Sequence, residues 1–410
     1  MPTDFKSLQL KAGIAFSPAA PIDKYSLFSG RLDELTRLID AITGKGQHAI
    51  TYGERGVGKT SLANILHEVL KNIGREDVLV TKINCDTSDN FSNAWRKALR
   101  EIVHISEYPT VGFEPETKQI VMDLSSGLGK VIVPNDIIKA FKRTKKSMVF
   151  IFDEFDRIQN NDTDRNFADT MKALSDYGID GTLVLVGVGD AVDDLIKSHE
   201  SIVRSLIQVR IPRMTVDELN GILDKGLKEL SMEIDDDARE RIVILSQGLP
   251  HYTHLLGREA VRVCLRSEQI RVTLPNVNKA IEQAVKDAQQ TVTSDYQKAT
   301  SSSHKGHLYK EVLLACALVK GDDLGYFSLA EIRTPLSRIK GKPFEIGQYA
   351  QHLANFCTEG RANVLSKIGD KYRHQYRFNN PILRQYVIIR GFMDELLTED
   401  MIDLMPIWTP

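Results

Sequence analysis

Hydrophobic and polar positions alternate in two different ways along the first half of the chain. Short apolar runs recur, and between them lie stretches whose apolar residues return every three or four positions, as in an amphipathic helix. The run Met148–Phe152 is apolar throughout, which is typical of a strand buried on both faces. Strands that alternate with helices favour parallel pairing, because each helix carries the chain back across the sheet. The pattern predicts an α/β fold with a parallel sheet whose strands are His48–Tyr52, Val78–Asn84, Ser147–Asp153, Thr182–Val188 and Ile207–Ile211.

The helices predicted between these strands include Ser92–Ile105, Phe167–Tyr177 and Asp190–His199. Past Pro212 the strand pattern ends and only helical spacing remains. A helical segment directly after a parallel-sheet core predicts a lid carried on that core, over residues 213–290. The lid helices are predicted at Val216–Leu230, Asp236–Ser246, Tyr252–Leu265 and Leu274–Gln289.

A polar, Ser-rich stretch follows the lid, and we predict a linker over residues 291–306. Beyond it the spacing indicates three helices and then two strands joined by Gly369-Asp370-Lys371, a turn-forming sequence. Three helices followed by a β-hairpin form the layout of a winged helix, predicted over 307–397 and followed by a tail at 398–410. The elements are predicted at His307–Val319, Ser328–Ile339, Ile346–Glu359, Val364–Ile368, Gln375–Phe378 and Pro381–Leu397.

The segment from Gly53 to Thr60 has the sequence of a phosphate-binding loop and lies between a predicted strand and a predicted helix. Glycines allow successive backbone N–H groups to point at phosphate oxygens, and the helix adds its positive N-terminal end. Lys59 is placed to reach the β- and γ-phosphates of a nucleotide, and the Thr60 hydroxyl to bind Mg²⁺. The residues predicted to hold the nucleotide here are Gly53, Glu54, Arg55, Gly56, Val57, Gly58, Lys59, Thr60 and Ser61.

A second motif is the pair Asp153-Glu154, which ends the apolar strand. The carboxyl ends of parallel strands meet at one edge of a sheet, so this pair is expected beside the phosphate loop. Asp153 is expected to hold Mg²⁺, directly or through water, and Glu154 to orient and deprotonate the water that attacks the γ-phosphate. Two adjacent acids alone would indicate only a solvated turn. Together with the upstream loop they predict a site for ATP and Mg²⁺.

This combination resembles the AAA+ ATPases over most of the chain, and in particular the branch that joins origin-recognition initiators to the signal-transducing STAND ATPases. The resemblance begins at Phe28-Ser29-Gly30-Arg31, which looks like the Phe-x-Gly-Arg element that precedes the phosphate loop in that branch. It implies a P-loop AAA+ core with an N-terminal lead over residues 1–212. It also implies that Phe28, Gly30 and Arg31 lie near the base or the phosphates; simple core packing is the alternative for Phe28.

Two further catalytic residues are implied by the resemblance alone. After the fourth core strand the family carries a polar sensor residue, and Asp190 is this chain's candidate in place of the usual Asn, Ser or Thr. It would orient water or merely cap the following helix. Before the last core strand the initiator-like proteins place an arginine finger that acts on a neighbouring subunit's γ-phosphate. Arg204 is the implied finger, with an intramolecular salt bridge as the alternative and Arg210 and Arg213 less favoured. A finger of this kind implies a homo-oligomer.

In the lid, Gly248-Leu249-Pro250 is similar to the Gly-Leu-Pro element of STAND ATPases, in which the proline starts a helix and packs near the adenine. Proline suits the first helical turn because an N–H there would have no helical partner. Many AAA+ proteins carry an arginine here as a second sensor. This chain has none up to Tyr252, which leaves His251 or Arg258 as candidates and favours a nucleotide-gated switch over a fast motor.

The composition limits the classes of partner and compartment that we expect, and it leaves the predicted fold unchanged. Of 410 residues, 42% are apolar and 26% are charged, and the formal net charge of −2 offers no overall basic field for nucleic acid. Four scattered cysteines have neither the pattern of a disulfide framework nor zinc-ligand spacing. The sequence has no secretory signal and no apolar stretch long enough to span a bilayer, so we expect a cytoplasmic protein that is not membrane-bound.

The C-terminal segment is more basic, since residues 305–397 contain 14 Lys and Arg against 9 Asp and Glu. Basic side chains interleaved with Tyr372 and Tyr376 on the hairpin could track a phosphate backbone, so double-stranded DNA is a candidate partner. A positive hairpin is also a common solvated edge, and winged helices serve STAND proteins as packing or protein-interaction modules. The hairpin residues placed to contact DNA are Lys367, Lys371, Arg373 and Arg377.

Two functions fit these expectations. The first is a Mg²⁺-dependent ATPase that binds ATP and ADP, forms a homo-oligomer, and acts as a nucleotide-controlled switch that loads or regulates a protein partner on DNA. The second is a STAND-like signalling ATPase with slow turnover that recruits a protein effector through its winged helix, without DNA binding. The response of ATP turnover to DNA separates the two.

Overall fold

The structure is a computed structural model, and it describes residues 4–18, 28–72, 78–109, 117–125, 127–144, 146–158, 161–187, 200–286, 288, 290–302, 307–322, 325–369, 374–398 and 401. The strands within these residues are β1 (His48–Tyr52), β2 (Val78–Asn84), β3 (Val103–Pro109), β4 (Thr117–Asp123), β5 (Ser147–Asp153), β6 (Gly181–Gly187), β7 (Leu206–Arg210), β8 (Glu233–Ile234), β9 (Arg271–Val272), β10 (Phe327–Ser328), β11 (Leu365–Ile368) and β12 (Gln375–Phe378). The helices there are α1 (Phe5–Ala15), α2 (Leu32–Thr43), α3 (Lys59–Asn72), α4 (Phe91–Glu101), α5 (Pro134–Arg143), α6 (Asn161–Asp176), α7 (Val216–Leu230), α8 (Asp236–Ser246), α9 (Pro250–Arg266), α10 (Leu274–Lys286), α11 (Gln290–Thr300), α12 (Tyr309–Leu318), α13 (Leu329–Lys340), α14 (Ile346–Phe356) and α15 (Pro381–Met393).

The central sheet of the described residues has five parallel strands in the order β2-β5-β6-β1-β7. Every residue of β5 and β6 is buried, which explains their unbroken apolar runs. The predicted α/β fold with a parallel sheet is confirmed. The bounds of β1, β2 and β5 are as predicted, and β6 and β7 are each displaced by one residue. Because β1 and β5 flank β6, the phosphate loop and Asp153 emerge at the same edge of the sheet.

One face of the sheet is packed by an aromatic cluster. The Trp95 indole is fully buried on α4 and lies with its ring centroid 5.0 Å from Phe150, 5.2 Å from Phe152 and 5.9 Å from Phe167. Each such ring contributes about 1.5–3 kcal/mol through burial. The cluster holds α4 and α6 on β5, so the strand that ends at Asp153 has a fixed position.

The helix predicted as Ser92–Ile105 ends at Glu101, because β3 begins at Val103 and pairs antiparallel with β4. The alternation Val103-His104-Ile105-Ser106 has the period of a strand, and the helical prediction extended through it. The predicted helix Asp190–His199 lies outside the described residues.

The lid consists of α7 to α10, and α7 begins directly after β7 with a capping box in which Thr215 and Glu218 satisfy each other's backbone N–H groups. Helix α1 packs on this lid, against α7 and α9, rather than on the core with which the sequence grouped it. The Phe16 ring that follows α1 is fully buried, and a Cβ at Gly257 of α9 would come within 2.9 Å of its Cε1. Phe16 therefore anchors the N-terminal lead to the lid.

The C-terminal part has the layout of a winged helix: α12, α13 and α14 pack against a three-stranded antiparallel sheet in the order β10-β12-β11. The two-residue β10 is too short to be detected as a sequence pattern. The segment predicted as the start of a linker forms α11, in which Val292, Tyr296 and Ala299 are buried. These apolar residues recur at helical spacing, and their burial favours a helix although most of the segment is polar. The proposed domain boundaries otherwise remain predictions, and the tail at 398–410 lies outside the described residues apart from 398 and 401.

None of the helices within the described residues has both the length and the apolar character needed to cross a membrane.

Candidate functional site

A cavity of about 360 Å³ lies at the carboxyl edge of the central sheet, between the core and the lid. The phosphate loop after β1, the acids after β5, Gly187 at the end of β6 and the first turn of α9 all border it. The structure thus brings the two sequence motifs and the lid element together around one space. The predicted residues that line it are Phe28, Arg31, Arg55, Gly56, Val57, Gly58, Lys59, Thr60, Ser61, Asp153, Glu154 and Pro250.

Lys59 lies at the start of α3, where its ammonium group donates to the carbonyl oxygens of Gly53 and Glu54, each at 2.9 Å. Burial lowers the pKa of Lys59 to about 8, although the acids Asp156, Asp153 and Glu54 act in the opposite direction. The side chain is therefore a desolvated cation with incomplete charge compensation. Phosphate oxygens in the adjacent cavity would supply the missing negative charge.

The residues at the end of β5 fit a Mg²⁺ ion. The Thr60 hydroxyl donates to Asp153 Oδ1 at 3.4 Å, and Lys82 Nζ lies 3.0 Å from Asp153 Oδ2. Neighbouring ligands of octahedral Mg²⁺ are about 2.9 Å apart, so a small adjustment would let the Thr60 and Asp153 oxygens share one ion. The described residues contain no group of three or more His, Cys, Asp or Glu that could hold a metal without help. Mg²⁺ here would need phosphate and water as its remaining ligands, as is usual for this ion.

Glu154 directly follows β5 with φ 56° and ψ 37°, a left-handed conformation that is strained for a residue with a side chain. Its carboxylate is half-exposed and lies 3.1 Å from the guanidinium of Arg157. Both residues line the cavity. Glu154 therefore borders the cavity with a carboxylate that solvent can reach.

The cavity also has apolar lining residues, which suit contact with a base. Phe28 is 6% exposed and also lines the cavity. Its ring can therefore pack in the core and still contact a ligand. Pro250 begins α9 and lies 3.8 Å from the position that a Cβ on Gly58 would take, so the lid contacts the phosphate loop. His251 Nδ1 is 2.7 Å from the carbonyl oxygen of Pro18, and burial lowers the pKa of His251. Burial therefore favours the neutral form of the His251 imidazole.

The two candidates for a second sensor are separated by the structure. His251 lines the cavity, whereas Arg258 is absent from the residues lining it and lies 2.8 Å from Glu259, with which it forms an ion pair. Of the two candidates, His251 is therefore the one that the structure places at the cavity.

Arg31 supports the phosphate loop from its outer side. Its guanidinium donates to the carbonyl oxygens of Val57 at 3.3 Å and Pro212 at 2.5 Å, and its backbone N–H donates to Glu218 at 2.9 Å. Burial lowers its pKa, and Glu218 and Glu34 oppose this effect. Arg31 thus connects the loop, the end of the core and the first lid helix.

Three predicted nucleotide-binding residues do not line the cavity. Gly30 lies against the Glu218 side chain, and Gly53 lies against the Ile211 carbonyl, where a Cβ would collide with that oxygen. Glu54 turns its carboxylate away from the cavity to Arg213, with oxygen–nitrogen distances of 2.6 and 2.7 Å. Their predicted contact with a nucleotide therefore stays a prediction, and the contacts that the structure shows for them are within the protein.

Of the two remaining catalytic predictions, Arg204 belongs to the part of the chain that the structure describes. Arg204 is exposed in the 3-10 turn Glu200–Ser205 and does not belong to the lining of the cavity. An arginine that acts on a neighbouring subunit would lie on such a surface. Asp190 lies outside the described residues.

Sequence reasoning missed several lining residues. His254 lies one turn after His251 on α9, a spacing that identifies a shared helix face, and burial lowers the His254 pKa to about 4. Asp156 lies two residues after Glu154 and close to Gly187, whose Cβ would be 3.0 Å from its carboxylate. Ser29 is the variable position of the Phe-x-Gly-Arg element and was also missed. The other missed residues are Ser17, Pro18, Arg157, Val186, Gly187, Met214 and Ile222.

Residues 42–195 match the family model described as an AAA domain. This stretch contains the phosphate loop and the Asp153-Glu154 pair, whereas the lid and the C-terminal part lie beyond it. No curated protein sequence matches the chain.

Among solved structures, the chain is similar to the Walker-type ATPase PABY2304 of Pyrococcus abyssi, at 14% identity and a TM-score of 0.50, covering 90% of this chain and 98% of that one. It is also similar to the Aeropyrum pernix ORC1 protein, solved in complex with DNA, at 16% identity and a TM-score of 0.48, covering 94% and 98%. CDC6P of Pyrobaculum aerophilum has 15% identity and a TM-score of 0.47, with the same coverage of 94% and 98%. At 14% identity the Pyrococcus match concerns the fold. Sheet order, site geometry and the AAA-domain match together identify a P-loop AAA+ fold.

Proposed function

We propose that this protein binds ATP with Mg²⁺ in the cavity between core and lid, hydrolyses it there, and acts as a nucleotide-controlled switch. One observation carries the proposal. A single cavity is lined by Lys59 and Thr60 of the phosphate loop, by the acids Asp153 and Glu154, and by Pro250 of the lid. A triphosphate in this space would contact core and lid together, so its hydrolysis would alter how the lid closes.

In the proposed reaction the N–H groups of the phosphate loop and the Lys59 ammonium bind the β- and γ-phosphates. Mg²⁺ held through Thr60 and Asp153 would supply further charge neutralisation when bound. Glu154 accepts a proton from a water whose oxygen attacks the γ-phosphorus. The bond from that phosphorus to the bridging oxygen breaks, and ADP leaves with the electron pair.

The switch is proposed to work as a homo-oligomer, with Arg204 acting on the nucleotide of a neighbour. The support is positional: Arg204 is exposed beside the exposed apolar Val203, on a turn that precedes an edge strand of the central sheet. A cation and an apolar side chain together suit a protein interface. Hydrolysis would then depend on assembly.

The finer role that we propose is regulation of a protein partner on double-stranded DNA through the β11–β12 hairpin. Lys367 is exposed on β11 and supports this role, whereas Lys371 and Arg373 lie outside the described residues. The Arg377 guanidinium carbon lies 4.4 Å from the centroid of the Tyr326 ring. This predicted DNA-contacting side chain therefore already has a contact inside the protein.

A STAND-like role remains the second candidate, and a specific observation favours it. Arg361 of the winged helix donates to the carbonyl oxygen of Ala299 at 3.0 Å and lies 3.6 Å from the Tyr309 ring centroid. A guanidinium engaged within the protein in this way is not free to contact a phosphate backbone, which favours the role without DNA binding.

The test measures ATP turnover of the full chain with and without duplex DNA, together with particle mass in the ATP, ADP and nucleotide-free states. Stimulation by DNA together with ATP-dependent assembly supports the DNA-linked switch. Slow turnover that DNA leaves unchanged supports the STAND-like role. A chain that fails to turn over ATP under either condition contradicts the proposed ATPase.

A further inference from the structure

The side chain of Glu54 has no place in the nucleotide site, although Glu54 lies in the phosphate loop. Its backbone carbonyl accepts from Lys59 Nζ at 2.9 Å, on the side of the cavity. Its carboxylate extends to the other side, where it is 12% exposed and pairs with Arg213. Burial tends to raise the Glu54 pKa, but Arg213, Arg384 and Lys59 outweigh it and the pKa is lowered. Glu54 therefore remains an anion in a nearly dry setting.

Arg213 lies in the segment between β7 and α7 that joins the core to the lid. Besides its two bonds to Glu54, its guanidinium donates to the carbonyl oxygen of Gln247 at 2.9 Å. Gln247 precedes Gly248-Leu249-Pro250, the lid element that borders the cavity. Arg213 thus ties the phosphate loop to the lid by a path outside the nucleotide site.

Arg384 of the winged helix acts electrostatically on the same carboxylate and helps to lower the Glu54 pKa. It lies in the first turn of α15, is 3% exposed, and donates to the carbonyl oxygens of Ala317 at 3.0 Å and Val319. Burial lowers its pKa to about 9; Arg213 contributes to the lowering and Glu54 counteracts it. Glu54 is therefore the carboxylate that balances buried arginines from two other parts of the chain.

The turn of α15 that carries Arg384 is also where the winged helix contacts the lid. The Tyr252 hydroxyl on α9 donates to the carbonyl oxygen of Ile382 at 2.6 Å, and the buried Gln385 amide donates to the carbonyl oxygen of Leu245 on α8. Gly325, which precedes β10, lies beside Glu54: a Cβ there would be 3.4 Å from Glu54 Oε1. The phosphate loop, the lid and the winged helix meet at this point.

We propose that Glu54 links the phosphate loop to the winged helix as a positioning residue, through Arg213 of the core–lid connection and Arg384 of α15. The proposal rests on the proposed function, because the loop must bind nucleotide for the link to carry a signal. In the structure described, Lys59 is bonded to the Gly53 and Glu54 carbonyls, whereas a bound triphosphate would draw its ammonium to the phosphates.

Release of the Glu54 carbonyl by Lys59 changes the environment of the same residue whose carboxylate is bonded to Arg213 and acts electrostatically on Arg384. Separating a buried carboxylate from its arginine partners is costly. We therefore expect Glu54, Arg213 and Arg384 to move together or to exchange partners together. Nucleotide occupancy would therefore alter the attachment of α15, and with it the surface that the winged helix offers to a partner.

The test is hydrogen–deuterium exchange of the full chain, free and with ATP in excess, compared for wild type, Arg384→Met and Glu54→Gln. Methionine keeps the unbranched bulk of the arginine stem, and Arg384 is not among the residues that line the cavity. For wild type we expect ATP to protect the phosphate loop and to change exchange at residues 382–388 by roughly tenfold. In Arg384→Met we expect the same protection of the phosphate loop, while the response of α15 to ATP is lost. Glu54→Gln should also lose the α15 response.

Arg333→Met is the matched control, because Arg333 is an arginine of the same domain whose ion pair with Glu345 is exposed. It should retain the α15 response. If burial of uncompensated charge prevents Glu54→Gln from folding, the double variant Glu54→Gln/Arg213→Met removes both charges of the direct ion pair and should fold without the response.

The outcomes separate this proposal from the proposed function. Protection of the wild-type phosphate loop with unchanged exchange at α15 overturns the link and leaves ATP binding intact. A full α15 response in Arg384→Met also overturns it. Failure of ATP to protect the wild-type loop contradicts both proposals.

Discussion

The nucleotide cavity and the winged helix use charged residues in opposite ways. Around the cavity, Lys59, Asp153 and Glu154 converge on a space large enough for a ligand. In the winged helix, Arg361 and Arg384 direct their guanidinium groups to backbone carbonyls of the protein itself. Spacing in a motif places groups around a common point, whereas a count of basic residues says nothing about where each one points.

The net positive charge of the C-terminal part is therefore weak evidence for DNA binding, because several of its basic side chains are paired within the protein. Arg333 pairs with Glu345, and Lys340 lies 2.9 Å from Glu311. Lys367 stays exposed on β11. Substitutions around the cavity should have large effects, and those on the hairpin should have small ones.

The largest effect is expected outside both regions, for Arg204→Ala. An arginine finger supplied to a neighbour contributes about 10³-fold or more to hydrolysis, so turnover should fall by about that factor while ATP binding persists. Steady-state turnover and equilibrium binding of a fluorescent ATP analogue measure the two quantities. Mixing this variant with Lys59→Ala, which retains its own finger, should restore part of the turnover. Unchanged turnover in the single variant refutes the assignment.

Lys59→Ala should weaken ATP binding by about 100-fold, because charge-assisted hydrogen bonds to phosphate each contribute about 1.5–3 kcal/mol. Isothermal titration with Mg²⁺ and ATP measures the affinity. Lys82→Ala is an informative comparison, since Lys82 contacts Asp153 but is not among the residues that line the cavity. Equal losses in both variants would contradict a direct contact between Lys59 and phosphate.

The pH dependence of ATP affinity follows from the lowered pKa of Lys59, which burial brings from 10.5 to about 8. A bound triphosphate raises this pKa again, so binding takes up a proton at alkaline pH. Affinity should be flat below pH 8 and should fall above it by up to about tenfold per pH unit. In the free protein the sign is opposite: stability should rise from pH 8 to 10.5, as the unfolded chain binds the proton more readily.

Lys59→Arg provides the control for this pH profile, because arginine keeps its charge throughout the range. Its ATP affinity should be independent of pH above 8. A fall in affinity that persists in Lys59→Arg would assign the pH effect to another group.

The core was predictable from sequence because its signals are local. Apolar runs located β1, β2 and β5 correctly, and the phosphate loop and Asp153-Glu154 required only their strand context. The lining residues outside the motifs were harder to predict from sequence. Ser17, Met214 and Ile222, for example, come from separate segments and meet only through tertiary packing. Likewise, nothing in the sequence around Glu54 indicates that its carboxylate turns toward Arg213.

The smallest effect is expected on the winged-helix hairpin. Lys367→Ala should weaken duplex DNA binding only several-fold and lower the slope of log affinity against log salt by about 0.9, the contribution of one phosphate contact. Lys279→Ala, a substitution of an exposed lysine on the lid, is the control and should leave the slope unchanged. Equal slopes for wild type and Lys367→Ala would remove this lysine from the DNA contact and favour the STAND-like role.

The most direct test of the central claim compares Mg²⁺-dependent ATP hydrolysis and ATP binding in wild type and Glu154→Gln. The amide keeps the size of the side chain but cannot accept the proton of the attacking water, so turnover should fall by about 10²–10⁴-fold. Binding should persist, because Lys59 and the phosphate loop are unchanged. Turnover by Glu154→Gln at the wild-type rate, or wild-type turnover that persists in EDTA, would contradict the account.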